Sequence, residues 1–129
     1  AKAMEESGAS CITVHSRTKT ELYSGEGHPE VIKKVKDAVK IPVIANGNIW
    51  TVDDAKEMLV KTGADAVALA RGVIGNPWFV KECVEFIENG KRIDKPNKIE
   101  KINFNGEIHF LPETHDRIVY LRIFQNQHL

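Results

Sequence analysis

Residues 41–72 decide the fold, and their sequence is IPVIANGNIWTVDDAKEMLVKTGADAVALARG. Two short apolar runs, residues 43–45 and 66–70, lie near its two ends and predict buried strands. Between them, Thr51 and Asp54 have the spacing of a capping box, which marks the start of a helix. The apolar residues that follow repeat at helical spacing and predict an amphipathic helix. Strand, helix and strand in this order predict a parallel β–α–β unit.

The same pattern continues on both sides of this unit. Upstream, residues 11–15 predict a strand, and His28-Pro29 begins an amphipathic helix. Downstream, residues 71–75 form a turn before a third amphipathic helix. The predicted class is therefore α/β, with three parallel βα units. A closed barrel needs eight such units and about 250 residues, so we expect a parallel (β/α) half of a TIM-type barrel.

The pattern changes near residue 94. We assign residues 1–93 to the partial barrel and residues 94–129 to an atypical, divergent tail. Within this tail, residues 102–110 alternate apolar and polar side chains around an Asn-Gly pair. Such a pattern predicts a β-hairpin.

The composition is that of an ordinary globular domain, with 129 residues, of which 42% are hydrophobic and 28% charged. Eighteen basic residues balance eighteen acidic ones, so bulk charge predicts no polyanion-binding surface. No apolar run approaches the ~20 residues of a membrane span. Cys11 and Cys83 lack metal-ligand spacing and cannot form a disulfide framework, so we predict small core residues and no metal site. We expect a soluble protein of a reducing compartment.

Ligands of parallel α/β folds bind at the carboxyl ends of the strands. That rule selects residues 15–18, 46–48 and 71–75. Glycines at two neighbouring strand ends allow backbone amides to approach a phosphate, and Arg71 can add a bidentate charged contact. The sequence therefore predicts a phosphate site between these turns. The alternative is that the glycines only permit tight turns.

His15 and Arg17 are further candidates at the end of the first predicted strand. The imidazole of His15 can hydrogen-bond a cofactor or take part in proton transfer, or it can be satisfied by a neighbouring backbone carbonyl. The guanidinium of Arg17 can pair with a phosphate or with a loop carboxylate such as Glu21.

Three motifs, in their order and spacing, resemble those of the tRNA-dihydrouridine synthases. Residues 12–18, ITVHSRT, followed by Tyr-Ser-Gly at 23–25, resemble that family's Val-His-Gly-Arg-Thr and Tyr-Ser-Gly. Residues 41–49 resemble its Ile-Pro-Val-Ile-x-Asn-Gly-Asp-Ile. Residues 63–78 resemble its Gly-x-Asp-x-Val, Gly-Arg-Gly and Gly-Asn-Pro-Trp. The resemblance covers about residues 1–101.

The resemblance implies an FMN- and NADPH-dependent enzyme that reduces uridine to dihydrouridine in tRNA, built on an eight-stranded barrel. Residues 1–93 would form the half of the barrel that binds the FMN phosphate. Carried over residue by residue, His15 would contact the flavin. The phosphate would be held by Asn46, Gly47, Asn48, Ala70, Arg71 and Gly72.

Three positions depart from the family pattern. Asn48 replaces the usual aspartate, Ala70 replaces a glycine, and Ser16 replaces another glycine. The first two replacements keep the backbone donors, so phosphate binding remains compatible with the sequence. Ser16 adds bulk at the start of its loop.

The resemblance also implies that some functional residues of the family are absent from these motifs. The family's proton-donor cysteine, and a lysine and a glutamine that contact the flavin, belong to the front half of the barrel. We therefore assign no catalytic residue and expect a C-terminal fragment that is inactive when isolated. Residues 1–8 agree with this view, because they have the pattern of the end of a helix and its glycine stop.

Two alternatives remain open. A half-barrel of the dihydroorotate dehydrogenase type shares the Asn-Gly and Ala-Arg-Gly turns, although residues 23–25 and 76–78 favour the synthase pattern. A non-catalytic half-barrel that self-associates would bury its open sheet edges in a homo-oligomer. For the synthase reading we expect tRNA as partner, no membrane, and a cytoplasmic location.

Overall fold

The computed structural model describes residues 1–21, 24–25, 27–94 and 119–120. Three βα units follow one another, which confirms the predicted α/β class with parallel strands. Turn Arg71–Val73 is a short 3-10 helix. In chain order the elements are α1 (Lys2–Glu6), β1 (Ile12–His15), α2 (Pro29–Ala38), β2 (Val43–Asn46), α3 (Val52–Thr62), β3 (Ala66–Leu69), α4 (Phe79–Asn89) and β4 (Val119–Tyr120).

The sheet has the strand order β1-β2-β3-β4. Strands β1, β2 and β3 are parallel neighbours, and β4 is antiparallel to β3. The register aligns His15 with Asn46 and Asn46 with Ala68, so one row of residues crosses the sheet near its carboxyl end. The predicted hairpin at residues 102–110 lies outside the described residues.

One face of the sheet packs against the helices. Alternate strand residues point to this face, as the two-residue period of a strand requires. They meet the apolar stripes of α2, α3 and α4, where Ile32 and Cys83 are fully buried. The strand and helix residues of this core include Ile12, Val43, Ala45, Val67, Leu69, Ile32, Ala55, Leu59, Phe79 and Cys83.

The ends of α3 follow the sequence signals. The Thr51 side chain accepts a hydrogen bond from Asp54 N at 3.1 Å, and the Asp54 carboxylate accepts one from Thr51 N at 2.8 Å. This is the predicted capping box. The helix ends at Gly63 in the left-handed conformation. Strand β3 therefore starts at a defined residue.

Asp65 joins the amino ends of β2 and β3 to α2. Its Oδ2 accepts a hydrogen bond from Val43 N at 2.7 Å and lies 2.7 Å from Lys36 Nζ. Both charged side chains are partly buried, so this contact is screened less than a surface ion pair. It fixes the register at the end of the sheet opposite the polar turns.

The two cysteines differ in environment. Cys83 is buried on α4, as predicted, but the prediction of a core position for Cys11 is wrong, because Cys11 is exposed. The cause is the strand boundary: β1 begins at Ile12, so Cys11 lies just before it. In the described part of the chain, no helix combines the length and the apolar character that crossing a membrane requires.

Candidate functional site

A pocket lies at the carboxyl ends of the parallel strands. All seven residues predicted to bind a cofactor line it: His15, Asn46, Gly47, Asn48, Ala70, Arg71 and Gly72. Ile49, Trp50 and Ala68 complete the lining and were missed from the sequence. The pocket is small, with an empty volume of about 280 Å³ that includes open solvent.

A row of side-chain hydrogen bonds forms the floor of this pocket. Asn46 Nδ2 donates to the carbonyl oxygen of Ala68 at 2.9 Å, so Asn46 Oδ1 is the acceptor that faces His15 Nδ1 at 2.6 Å. Nδ1 therefore carries a proton, and in the neutral imidazole Nε2 is left as an acceptor. His15 is exposed and has a fixed ring orientation, which suits it to contact a ligand above the row.

The turn after β2 depends on a close contact between Gly47 and Ser16. Gly47 has φ of +133°, and a Cβ placed on it would lie 2.1 Å from Ser16 Oγ. A Cβ on Gly27 would lie 2.5 Å from the same oxygen. The bulk that Ser16 adds is thus accommodated by two glycines. No other residue type fits at position 47 without displacing Ser16, which is itself buried.

The turn after β3 approaches the β2 turn just as closely. A Cβ on Gly72 would lie 2.5 Å from the carbonyl oxygen of Ile49, so this position also requires glycine. Next to it, the Arg71 guanidinium carbon lies 5.0 Å from the centre of the Trp50 ring, in cation–π range. Arg71 is the charged side chain of the pocket lining, and the described lining contains no carboxylate. The pocket therefore favours an anionic group.

Arg17 does not pair with Glu21, the loop carboxylate predicted as one of its possible partners. Arg17 is 8% exposed. Among the described residues, its guanidinium donates to neutral oxygens: Nε to Ser24 O at 3.0 Å, Nη2 to Gly25 O at 2.7 Å and Nη2 to Asn48 Oδ1. Glu21 instead accepts hydrogen bonds from Thr18. Arg17 thus ties the loop after β1 to the turn after β2.

A second group of contacts holds the same loop at its other end. His28 Nε2 lies 2.7 Å from Glu21 Oε1, and His28 Nδ1 lies 3.1 Å from Glu30 Oε1. His28 occupies the N-cap position of α2, as predicted, but its side chain makes no capping hydrogen bond. The hydrogen bond with Glu21, followed by that with Glu30, raises the pKa of His28 above its usual 6.5. The amide and hydroxyl of Thr18, and then His28, lower the pKa of Glu21 to about 2.

Neither cysteine lies in the pocket lining. Burial raises the pKa of the Cys83 thiol to about 12, so it remains protonated and unreactive at neutral pH. Cys11 precedes β1, whereas the pocket lies at the other end of that strand. Four strand residues span about 13 Å, which places Cys11 far from the pocket.

Comparison with known proteins gives the family context of this site. The family model described as "Dihydrouridine synthase (Dus)" matches residues 1–128. This match extends past the motifs quoted above and includes most of the tail. The domain boundary near residue 94 stays a prediction.

Several curated relatives are similar to the chain. A "Probable tRNA-dihydrouridine synthase" of Rickettsia prowazekii is 42% identical over 103 residues, which is 80% of this chain and 32% of the relative. A "tRNA-dihydrouridine synthase B" of Vibrio parahaemolyticus is 39% identical over 124 residues, 95% of this chain and 38% of the relative. A "Probable tRNA-dihydrouridine synthase 1" of Synechocystis is 40% identical over 102 residues, 79% of this chain and 29% of the relative. The chain spans about a third of the length of these relatives.

The pKa values of the loop contacts lead to a pH prediction. The raised pKa of His28 means that protonated His28 stabilises the fold below pH 6.5, and that this stabilisation is lost as the pH rises through the folded-state pKa. The lowered pKa of Glu21 affects stability in the acidic range. Ionised Glu21 stabilises the fold above pH 4.5, and this stabilisation is lost as the pH falls towards 2. NMR titration of wild type should give a His28 pKa above 6.5, and Glu21→Gln should lower it.

Glu85→Gln is the matched control, because Glu85 bonds Asn89 on α4 instead of this loop. It should leave the pKa of His28 unchanged. An unperturbed His28 pKa in wild type, or an equal shift in both variants, would show that the Glu21 contact does not form.

Proposed function

Because the chain belongs to the dihydrouridine synthase family, we propose that it forms the FMN-phosphate-binding part of an enzyme that reduces uridine to dihydrouridine in tRNA. The observation that carries this proposal is the convergence of all seven predicted cofactor residues on one pocket at the carboxyl ends of β1, β2 and β3. The printed names of the relatives, which are tRNA-dihydrouridine synthases, support the reaction and the tRNA substrate. The family match favours this function over a dihydroorotate dehydrogenase type.

The pocket fits a phosphate ester in shape and charge. Gly47 and Gly72 leave room where a Cβ would collide with Ser16 or Ile49, so the backbone of both turns is open to a close ligand. Arg71 supplies positive charge, and Trp50 limits where the guanidinium can lie. We assign the phosphate to Asn46, Gly47, Asn48, Ala70, Arg71 and Gly72.

The roles of His15 and of the cofactors follow from the position of the pocket at the strand ends. His15, held by Asn46, contacts the flavin from the end of β1. The flavin supplies hydride transfer when it is bound, and NADPH is the reductant. The reaction takes place where its tRNA substrate is found, which we propose to be the cytoplasm.

Neither cysteine of this chain is placed to donate a proton in the pocket. Cys83 is buried and its thiol pKa is raised to about 12, and Cys11 lies at the far end of β1. Neither thiol reaches the pocket where the uracil ring would be reduced. The catalytic residues of the reaction are therefore residues other than these two cysteines.

The test of the pocket is a comparison of FMN with riboflavin, which lacks the phosphate. Wild type should bind FMN more tightly, and Arg71→Ala should weaken FMN binding by about 10- to 100-fold, the loss expected for one charged hydrogen bond. Quenching of tryptophan fluorescence measures both affinities, because Trp50 lines the pocket. Arg92→Ala is the control, since Arg92 is exposed and pairs with Asp53 outside the pocket. Equal affinity for FMN and riboflavin in wild type would refute the phosphate site.

A second test concerns activity. The 129-residue chain, supplied with FMN, NADPH and unmodified tRNA, should form no dihydrouridine above a control without protein. General acid catalysis typically contributes about 10²- to 10⁴-fold, and no thiol of the chain lies at the pocket to provide it. Mass spectrometry of digested tRNA measures the product. Turnover well above the control would show that a proton donor was overlooked.

We further propose that the chain self-associates through the outer edge of β1, which is unpaired within the described residues. Ile12 N and Ser16 N donate to Pro42 O and Asn46 O of the neighbouring segment. The alternate residues Thr13 and His15 therefore direct their N–H groups outwards, where another strand can accept them. Val14 packs against the core instead, so a charge there would test folding and not the edge.

The test of this edge is Thr13→Pro, which removes one outward N–H and leaves the β1–β2 hydrogen bonds in place. Sedimentation at micromolar concentration should show an oligomer for wild type and a shift towards monomer for the variant. Thr13→Val keeps the N–H and should behave like wild type. A compact, cooperatively folded wild-type monomer would contradict the proposal.

A further inference from the structure

Trp50 is a large apolar residue that the fold leaves half in solvent. It is 52% exposed, although tryptophan is highly buried on average. It stands directly before Thr51, the N-cap of α3. A large apolar residue at this position often packs on the fourth residue of the helix, which here is Ala55. Ala55 is buried in the core whereas Trp50 is exposed, so helix capping does not account for the size of the indole.

The indole of Trp50 is held from two sides at the edge of the pocket. The backbone N–H of Trp50 donates to Asp54 Oδ2 at 3.0 Å, and the same oxygen accepts from Thr51 N. On the other side, the Arg71 guanidinium carbon lies 5.0 Å from the centre of the indole ring. Trp50 therefore presents a flat apolar surface of fixed orientation beside the pocket that it helps to line.

A second exposed apolar residue lies in the adjacent turn. Ile74 is 78% exposed, and its N–H donates to the carbonyl oxygen of Arg71 at 3.1 Å. Because the side chain of Arg71 lies over the indole, Trp50 and Ile74 belong to neighbouring turns at the same end of the sheet. Exposed apolar side chains grouped at the rim of a pocket are typical of a binding surface.

The charges around the indole favour a polyanion over an apolar protein surface. The positive charge of Arg71 lies over the ring, and RNA carries negative charge along its whole backbone. Two acidic residues follow in the chain, and both are engaged with donors. Asp54 accepts from backbone N–H groups, and Asp53 Oδ1 lies 2.6 Å from Arg92 Nη2. These contacts reduce their repulsion of an anionic partner.

We propose that Trp50 is a stacking platform for one nucleobase of single-stranded RNA, at the rim of the pocket. Nucleobases stack on aromatic rings and on guanidinium planes, and proteins recognise single-stranded RNA largely through such contacts. Arg71 lies over the indole from one side, and the exposed surface of the ring takes the base. The choice of RNA as the partner rests on the proposed function, which assigns no residue of this chain to the tRNA substrate.

Replacing the indole should weaken RNA binding only where the ring itself is lost. Trp50→Leu keeps an apolar side chain without a ring, and should weaken binding of a short oligouridylate about 5- to 150-fold, the range expected for one base stack. Trp50→Phe keeps an aromatic ring and should retain most of the affinity. Val60→Ala is the control, because Val60 is 75% exposed on α3 and does not line the pocket.

Fluorescence anisotropy of the labelled oligouridylate measures these affinities, with the full 129-residue chain at one fixed salt concentration. An abasic sugar-phosphate chain of the same length has the same charge but no base to stack. Trp50→Leu should therefore bind the abasic chain as wild type does. Three results would overturn the proposal: no binding of oligouridylate to wild type, equal affinities of the leucine and phenylalanine variants, or an equal loss of affinity for both oligonucleotides.

A second arm with FMN and riboflavin separates this platform from the proposed function. Equilibrium dialysis measures the flavin affinities, because it does not depend on tryptophan fluorescence. Oligouridylate binding that Trp50→Leu weakens, with equal affinity of wild type for FMN and riboflavin, would retain the platform and reject the flavin site. A preference for FMN, with oligouridylate binding that Trp50→Leu leaves unchanged, would retain the flavin site and reject the platform.

Discussion

The in-register parallel pairing of β1, β2 and β3 is the constraint on which the pocket depends. It places His15, Asn46 and Ala68 in one row, where the Asn46 amide can bond both neighbours at once. A shift of β2 by one residue would turn Asn46 to the helix side and break both bonds. The register is secured at the opposite end of the strands, where Asp65 bonds Val43 N and Lys36. Stability and site geometry are therefore set at different ends of the same sheet.

The turns above this row contain residues that lower the stability of the fold but provide space and positive charge. Gly47 and Gly72 lose more conformational entropy on folding than other residues would, but they allow close approach of Ser16, Ile49 and a ligand. Arg17 is buried, its partners in the described part of the chain are neutral oxygens, and its Nη1 atom has no hydrogen-bond partner. Buried charges and unpaired buried donors destabilise the folded state, and they are found mainly where a protein binds a ligand or catalyses a reaction. Their position around one pocket distinguishes these turns from turns that only connect elements.

Local spacing was sufficient to predict most of the fold. Strand and helix patterns and the rule of carboxyl-end sites selected six of the seven candidate residues, the family resemblance added Ala70, and all seven line one pocket. The sequence could not predict the partners of Arg17, because a long side chain reaches residue 48, 31 positions away, through a loop of irregular geometry. Trp50 was missed because the strand-end rule was applied only as far as Asn48, whereas the lining continues through Ile49 to Trp50. Cys11 was misplaced by a strand boundary one residue later than predicted.

The two edges of the sheet are not equivalent. The outer edge of β3 pairs with β4 in antiparallel register, Ala68 with Tyr120 and Leu69 with Val119. A barrel of parallel strands would place a parallel strand at this edge, and the N–H and C=O groups of one edge pair with one strand at a time. A partner strand that extends the parallel sheet at β3 must therefore first displace Val119–Tyr120. At β1 no such exchange is needed within the described residues, and the outward N–H groups there lie beside His15 and the pocket. Whatever completes the sheet at β1 is thus also placed to complete the site.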